Sequence, residues 1–181
     1  MSTTPSPITT LHAYLEEHNL WHKRVELRRG DHLHLEGDAD SNIYHVDSGL
    51  LRSYVVVNDD EQIIRFGYQG DFVVAMDSFF TGQPTILYCE ALRKTTVRVI
   101  RKAKYEEAIA KDPELNRIWQ KILSWMVVGQ LEREIDLLTN NPTERYRRVL
   151  ERSPQLFQEV PAKYIANYLR MTPETLSRIS R

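Results

Sequence analysis

The sequence predicts an α+β chain: an N-terminal β jelly-roll, one long helix, and a C-terminal helix-turn-helix. Three observations predict it. Six of the seven glycines lie between residues 30 and 82, separated by short alternating or apolar runs. Apolar residues then recur at helical spacing for roughly 25 residues after Pro113. The chain beyond Pro161 fills every apolar slot of two short helices joined by a tight turn. The implied organisation is a β domain over 1–112, a long helix over 113–141 and a helical domain over 142–181, with the helix-turn-helix at about 161–181.

Composition narrows the class. Of 181 residues, 41% are hydrophobic and 27% charged, an ordinary globular mix that excludes collagen-like, wholly disordered and disulfide-scaffold chains. No apolar run approaches the ~18 residues of a membrane span. The segment from Met1 to Pro7 has neither the basic nor the apolar region of a secretory signal. A cytoplasmic location without membrane attachment is expected. The single cysteine, Cys89, lies in an apolar strand and reads as an inert buried thiol. The net charge of −1 is unevenly divided. Residues 1–142 carry 16 Lys and Arg against 21 Asp and Glu; residues 143–181 carry 8 against 4. A basic tail behind an acidic body points to an anionic partner for the tail.

The strand signals are residues 31–35, 43–46, 50–57, 62–66, 85–92 and 95–100, with Asn58-Asp59-Asp60 as the hairpin turn after the third. About eight short strands in this length suggest a jelly-roll. A helical pattern opens near Lys104. After Pro113, Leu115, Ile118, Trp119, Ile122, Leu123, Trp125 and Met126 recur at three and four, and the pattern continues through Leu131, Ile135 and Leu138 to Asn140-Asn141-Pro142. Such a face exceeds what one small β domain covers. A homodimer paired through Ile118, Trp119, Ile122, Trp125 and Met126 is therefore expected. Three shorter helical segments follow Pro142, the first capped by Thr143.

Residues 161–181 carry the most information. Ile165 and Ala166 supply adjacent buried positions, one of them small enough for a second helix to approach. Leu169 follows one turn later, Met171 fills the turn, and Leu176 and Ile179 share a face. Thr172 suits the cap and Pro173 the first position of the second helix. Its outer residues, with Pro173, Glu174, Thr175, Ser177, Arg178 and Arg181, suit the DNA major groove. Arg178 matches the two acceptors of guanine and Glu174 the cytosine amino group. Lys163, Tyr164 and the Arg145–Arg148 cluster would hold phosphates. Thr172 borders the same surface. Arg170 occupies the turn position that usually takes Gly, because the backbone there is left-handed, at a cost of about 1 kcal/mol.

Arg29-Gly30-Asp31, Glu36-Gly37-Asp38, Tyr44 to Gly49, Phe66 to Phe72 and Ile165 to Ile179 resemble the cyclic-AMP receptor protein / fumarate–nitrate regulator (Crp/Fnr) superfamily of bacterial transcription factors, from about Leu27 to Arg181. The resemblance implies a β domain of the cyclic-nucleotide-binding type, dimers paired along the long helix, and double-stranded DNA as partner. It places the family's ligand pocket at Phe72, Val74, Ala75, Met76, Thr85 and Ile86. There the nucleotide binders have a Gly-Glu pair and then Arg-Ser or Arg-Thr. Here those positions are Val74-Ala75 and Thr85-Ile86, which offer no charge to a cyclic phosphate. Cyclic AMP is not expected to bind. One cysteine cannot ligate an iron–sulfur cluster, and nothing beyond the histidines points to haem; no cofactor is expected, and any small-molecule effector is of unknown identity.

Two other readings stay open. All six histidines precede residue 46. His32 and His34 on one strand could serve a cupin-like jelly-roll metalloenzyme. If Leu33 and Leu35 point inward, however, both are surface histidines. No catalytic triad or carboxylate pair accompanies them, and an enzyme is not expected. The chain ends close behind the second helix, without room for a following β-hairpin, which fits a sensory module that has lost DNA binding.

Overall fold

The computed structural model describes residues 6–180. They form two compact units. The first holds the chain up to Val55 together with Ile64–Leu123; the second holds Val56–Ile63 and the chain from Ser124 onward.

The first unit opens with α1 (Pro7–Glu17). The strands are β1 (Lys23–Leu27), β2 (His32–His34), β3 (Ile43–Ser48), β4 (Leu50–Val57), β5 (Asp60–Tyr68), β6 (Phe72–Val73), β7 (Tyr88–Ala91) and β8 (Thr95–Ile100), with the short helix α2 (Met76–Thr81) after β6. They make two four-stranded sheets, ordered β1-β8-β3-β6 and β2-β7-β4-β5, which is the expected jelly-roll. Alternating inward residues build its core, among them Val46, Leu51, Ala91, Val97 and Val99. Cys89 lies in the same core, and burial pushes its thiol up to about 12, so it is protonated and unreactive at neutral pH. Asn58 and Asp59 form the β4–β5 turn with φ of +52° and +65°, and Asp60 already belongs to β5. At Gly49, φ is +108°, and a Cβ would stand 2.3 Å from Thr95 Oγ1, so only glycine fits.

Four elements escaped the sequence reading: α1, β1, β6 and α2. The cues for α1 are Ser6, whose side chain accepts from the Thr9 amide, Pro7 in the first turn, and Leu11 and Leu15 four apart and buried. The histidine reading also needs correction. The β2–β7 register shifts between His32 and His34, so the two do not share a face. His32 is exposed, whereas His34 is only 3% exposed, and Leu35 is turned to solvent. His34 Nδ1 stands 3.4 Å from Asp40, which also accepts a 2.6 Å bond from the Tyr44 hydroxyl. Among the described residues no three His, Cys, Asp or Glu side chains gather as a metal set.

Two helices close the first unit: α3 (Lys102–Lys111) and the start of α4 (Pro113–Leu138). No described helix is long and apolar enough to cross a membrane. Leu115, Ile118 and Ile122 are buried within this unit, and Trp119 lies edge-on to Tyr105. Ile118 and Ile122 are therefore not available to a partner chain, contrary to expectation. Trp125 is exposed and Met126 half-buried.

From Ser124 onward α4 belongs to the second unit, with α5 (Pro142–Arg152), α6 (Pro154–Glu159), α7 (Ala162–Tyr168) and α8 (Pro173–Ile179). These are four helices beyond Pro142, not three. Asn141, not Thr143, caps α5, accepting from the Thr143 and Glu144 amides, because Pro142 takes the first helical position. Val149, Leu156, Val160, Ile165, Ala166, Leu169 and Leu176 are buried here.

Candidate nucleic-acid interface and sensor pocket

The helical corner is assembled as the slot pattern requires. Ile165, Ala166, Leu169 and Leu176 are buried, while Met171 and Ile179 are half-buried. Thr172 caps α8 by accepting from the Thr175 amide at 3.2 Å, and Pro173 begins the helix. Arg170 has φ of +53°: the left-handed turn forms without glycine. Its stability has a specific source. The Arg145 guanidinium, buried beneath the corner, donates Nε to the Leu169 carbonyl at 2.7 Å, Nη2 to the Arg170 carbonyl at 3.2 Å and Nη1 to the Thr139 carbonyl at 2.5 Å. Arg133 adds a bond to the Tyr168 carbonyl and lies 3.7 Å above the Tyr168 ring. Within the same unit, Asn167 of α7 accepts from the Ile63 amide and donates to the Glu61 carbonyl, at 2.9 and 2.7 Å.

This arrangement corrects the expected phosphate cluster. Arg145 faces inward. Arg148 is ion-paired to Asp136 and Glu132, and Arg152 pairs with Asp136 at 2.5 Å. Much of the tail's positive charge is thus spent inside the unit, and Arg147 is the exposed member of the cluster. On the outer side, Thr172, Pro173, Glu174, Ser177 and Arg178 are exposed and Thr175 is half-buried. Lys163 is exposed, with its ammonium 4.5 Å over the half-buried Tyr164 ring. Glu174 is held below the ordinary carboxylate range by its own amide in the first turn of α8 and by Thr172. Arg181 lies outside the described residues.

In the first unit, Ala75 and Thr85 are buried, and Phe72, Val74 and Met76 are half-buried. Ile86 does not line a pocket: it is 61% exposed, and its amide is the group that turns inward. The residue missed from sequence is Asp77. One of its carboxylate oxygens accepts from the Thr85 hydroxyl at 2.8 Å, and the other accepts from the Ile86 amide at 2.8 Å. The resemblance set these two positions against the phosphate-holding pair of nucleotide binders. Although partial burial opposes ionisation, the Ile86 amide and Thr85 hydroxyl hold Asp77 below the usual carboxylate range. The donors are already engaged by an anion, and a cyclic phosphate would meet a carboxylate there. The residues present do not fit that ligand. The only sequence cue was an acidic residue in the first turn of a six-residue helix, too common a feature to single out.

A jelly-roll, a long helix and a helix-turn-helix with its outer face open define a class: regulators that couple a sensor-type β domain to DNA. Residues 24–112 match the cyclic nucleotide-binding domain family. The fumarate nitrate reduction regulatory protein of Klebsiella oxytoca is 28% identical over 173 residues, covering 89% of this chain and 68% of that protein. Two solved structures share the fold. FixK2 from Bradyrhizobium japonicum has a TM-score of 0.70 at 23% identity, covering 87% of this chain and 82% of its own. A CooA mutant from Carboxydothermus hydrogenoformans has a TM-score of 0.73 at 17% identity, covering 98% and 84%. The matched domain, the regulatory relative and the shared fold together support a regulator of the Crp/Fnr superfamily.

Two outcomes test this geometry. Arg145→Met should lower stability by about 3 kcal/mol, since three carbonyls lose a charged donor, and Arg145→Lys should restore only part, having no planar fork. A urea midpoint that barely moves in Arg145→Met would contradict the role. Asp77 has a depressed folded pKa, so its contribution is present above the ordinary value near 3.8 and is lost as pH falls through the folded value. Asp77→Asn should therefore cost about 1 kcal/mol at pH 7, and between pH 5 and 2.5 it should lose less stability than the wild type. Parallel pH profiles would refute the assignment.

Proposed function

We propose that the protein is a homodimeric, sequence-specific DNA-binding regulator whose β domain does not take cyclic AMP. The observation that carries this reading is the exposed outer side of α8 on a corner whose inner side buries Ile165, Ala166, Leu169 and Leu176. In the proposed complex α8 enters the major groove. Arg178 reads guanine, Glu174 accepts from cytosine, and Lys163 and Tyr164 hold backbone phosphate. Thr172, Pro173, Thr175 and Ser177 fill the groove around them, and the sequence adds Arg181 as a further DNA contact. The protein has no catalytic role in this reading and works in the cytoplasm, where bacterial DNA lies. Asp77 at the anion seat supports regulation that is independent of cyclic nucleotides.

Pairing follows from the second half of α4. Val128, Leu131, Ile135 and Leu138 are 37–71% exposed and spaced three, four and three apart. That is an a/d seam, with β-branched residues at a and leucine at d, the combination that favours two parallel strands. A parallel pair related by a twofold axis suits two half-sites about one turn of DNA apart.

Binding to a cognate promoter fragment, followed by fluorescence anisotropy, should weaken steeply as salt rises, and Arg178→Ala should cost about 1–3 kcal/mol while relaxing base preference. Affinity indifferent to both changes would overturn the interface. Leu131→Asp should sediment as a monomer and bind the fragment at least tenfold more weakly, because one corner then holds one half-site. A dimer that survives this change would place the contact elsewhere.

A further inference from the structure

The first unit contains a cavity of about 290 Å³ between α2, α3 and the start of α4, separate from the Asp77 seat. Its walls are aromatic. Trp119 stands edge-on to Tyr105 with ring centres 5.4 Å apart, and lies 6.1 Å from Phe79 and 6.4 Å from Phe80. Three polar side chains of α3 line it, Lys102, Tyr105 and Glu106, spaced three and one apart. Tyr105 is 0% exposed, yet its hydroxyl has no hydrogen-bond partner among the described residues. The Lys102 ammonium bonds to the Phe79 carbonyl and lies 4.8 Å over the Phe79 ring, with Glu106 at 3.6 Å.

From this geometry we infer that the cavity is a binding site for a planar aromatic carboxylate. Each part of the ligand answers a part of the site. Flat walls of four rings accept a flat ring edge-on or offset-stacked. The volume stands at the lower end of small-molecule sites and holds one ring or two fused rings. Buried hydroxyls without a partner are rare in folded proteins, and this one needs an acceptor. An ammonium has three protons; the Phe79 carbonyl takes one, Glu106 at 3.6 Å is an ion-pair partner without a hydrogen bond, and a carboxylate can take another. The Glu106 side chain is 57% exposed, so its ion pair yields readily to a better-placed anion. Burial keeps the Tyr105 hydroxyl protonated, hence a donor, throughout the physiological range. A cationic ligand would face Lys102, and an aliphatic one would forgo the aromatic walls. This site does not depend on the DNA-binding reading.

Calorimetric titration with 2-naphthoate tests it. One equivalent should bind saturably per chain. Cyclohexanecarboxylate and 2-naphthalenemethanol, which lack the flat ring and the charge respectively, should bind at least tenfold more weakly. Tyr105→Phe and Lys102→Met should each weaken naphthoate about tenfold while the urea midpoint holds or rises, and Ile109→Trp, which fills the cavity, should abolish binding. If Ile109→Trp does not fold, the two polar variants decide. The inference is overturned if wild-type protein takes up no naphthoate, if the polar variants bind it as well as wild type, or if the two control compounds bind equally well. A partner chain's side chain already seated in the cavity would give the first of these results.

Discussion

The Arg145 guanidinium holds the second unit's geometry. A helix leaves its last carbonyls without intrahelical donors, and those carbonyls carry the negative end of the helix dipole. Arg145 meets two such ends at once. It closes the carbonyls of Leu169 and Arg170 behind α7 and that of Thr139 behind α4. A planar fork with five donors can do this; a point charge cannot. The same bonds account for the turn. Arg170 sits in a left-handed conformation that costs about 1 kcal/mol without glycine, but the carbonyls flanking that strain accept charge-assisted bonds, which offset it. The angle at which α8 leaves the corner therefore rests on a residue from a different helix, 25 positions away in sequence.

That distance marks the limit of what the sequence reveals. The corner itself was legible because every constraint on it is local: Ile165, Ala166, Leu169 and Leu176 are fixed by the packing of two neighbouring helices, and Thr172-Pro173 is a start signal with its own chemistry. The jelly-roll was legible in outline through its glycine spacing. What failed depended on partners remote in the chain. A run of arginines reads the same whether it faces phosphate or Asp136, and only the fold shows that Arg145, Arg148 and Arg152 are occupied internally. His32 and His34 alternate in sequence, but a register shift against β7 places one outside and one inside. Two-residue β6 and six-residue α2 are too short to show a period.

Asp77 illustrates the same principle in the sensor domain. Val74-Ala75 and Thr85-Ile86 show in the sequence which charged residues of the resembled family are absent, but not which group takes up the Thr85 hydroxyl and Ile86 amide. A backbone amide and a hydroxyl that converge on an empty point would be unsatisfied. The chain resolves this by supplying a carboxylate of its own, nine residues before Ile86. A site of this kind reverses its electrostatic preference without changing its backbone: it still gathers donors, yet it repels the anion that those donors would otherwise attract.

The long helix explains why one element serves two tasks and why its apolar period was misread. At 100° per residue, Leu115, Ile118 and Ile122 share one side of the part of α4 in the first unit, and Arg133 and Asp136 share one side of the part in the second. Leu115, Ile118 and Ile122 are buried in the first unit; Arg133 and Asp136 are buried in the second, bonded to Tyr168 and paired with Arg148 and Arg152. Within the second unit, Val128, Leu131, Ile135 and Leu138 lie about 150° around the helix from Arg133 and Asp136, and they remain exposed. Reading all the apolar residues as a single face joined the end of the inward stripe to the beginning of the outward one. In the second unit the inward side of α4 is the polar pair Arg133 and Asp136, which hydrophobicity alone cannot show. Because these faces of the second unit's α4 are nearly opposed, a second chain on the seam would leave the bonds of Arg133 and Asp136 in place.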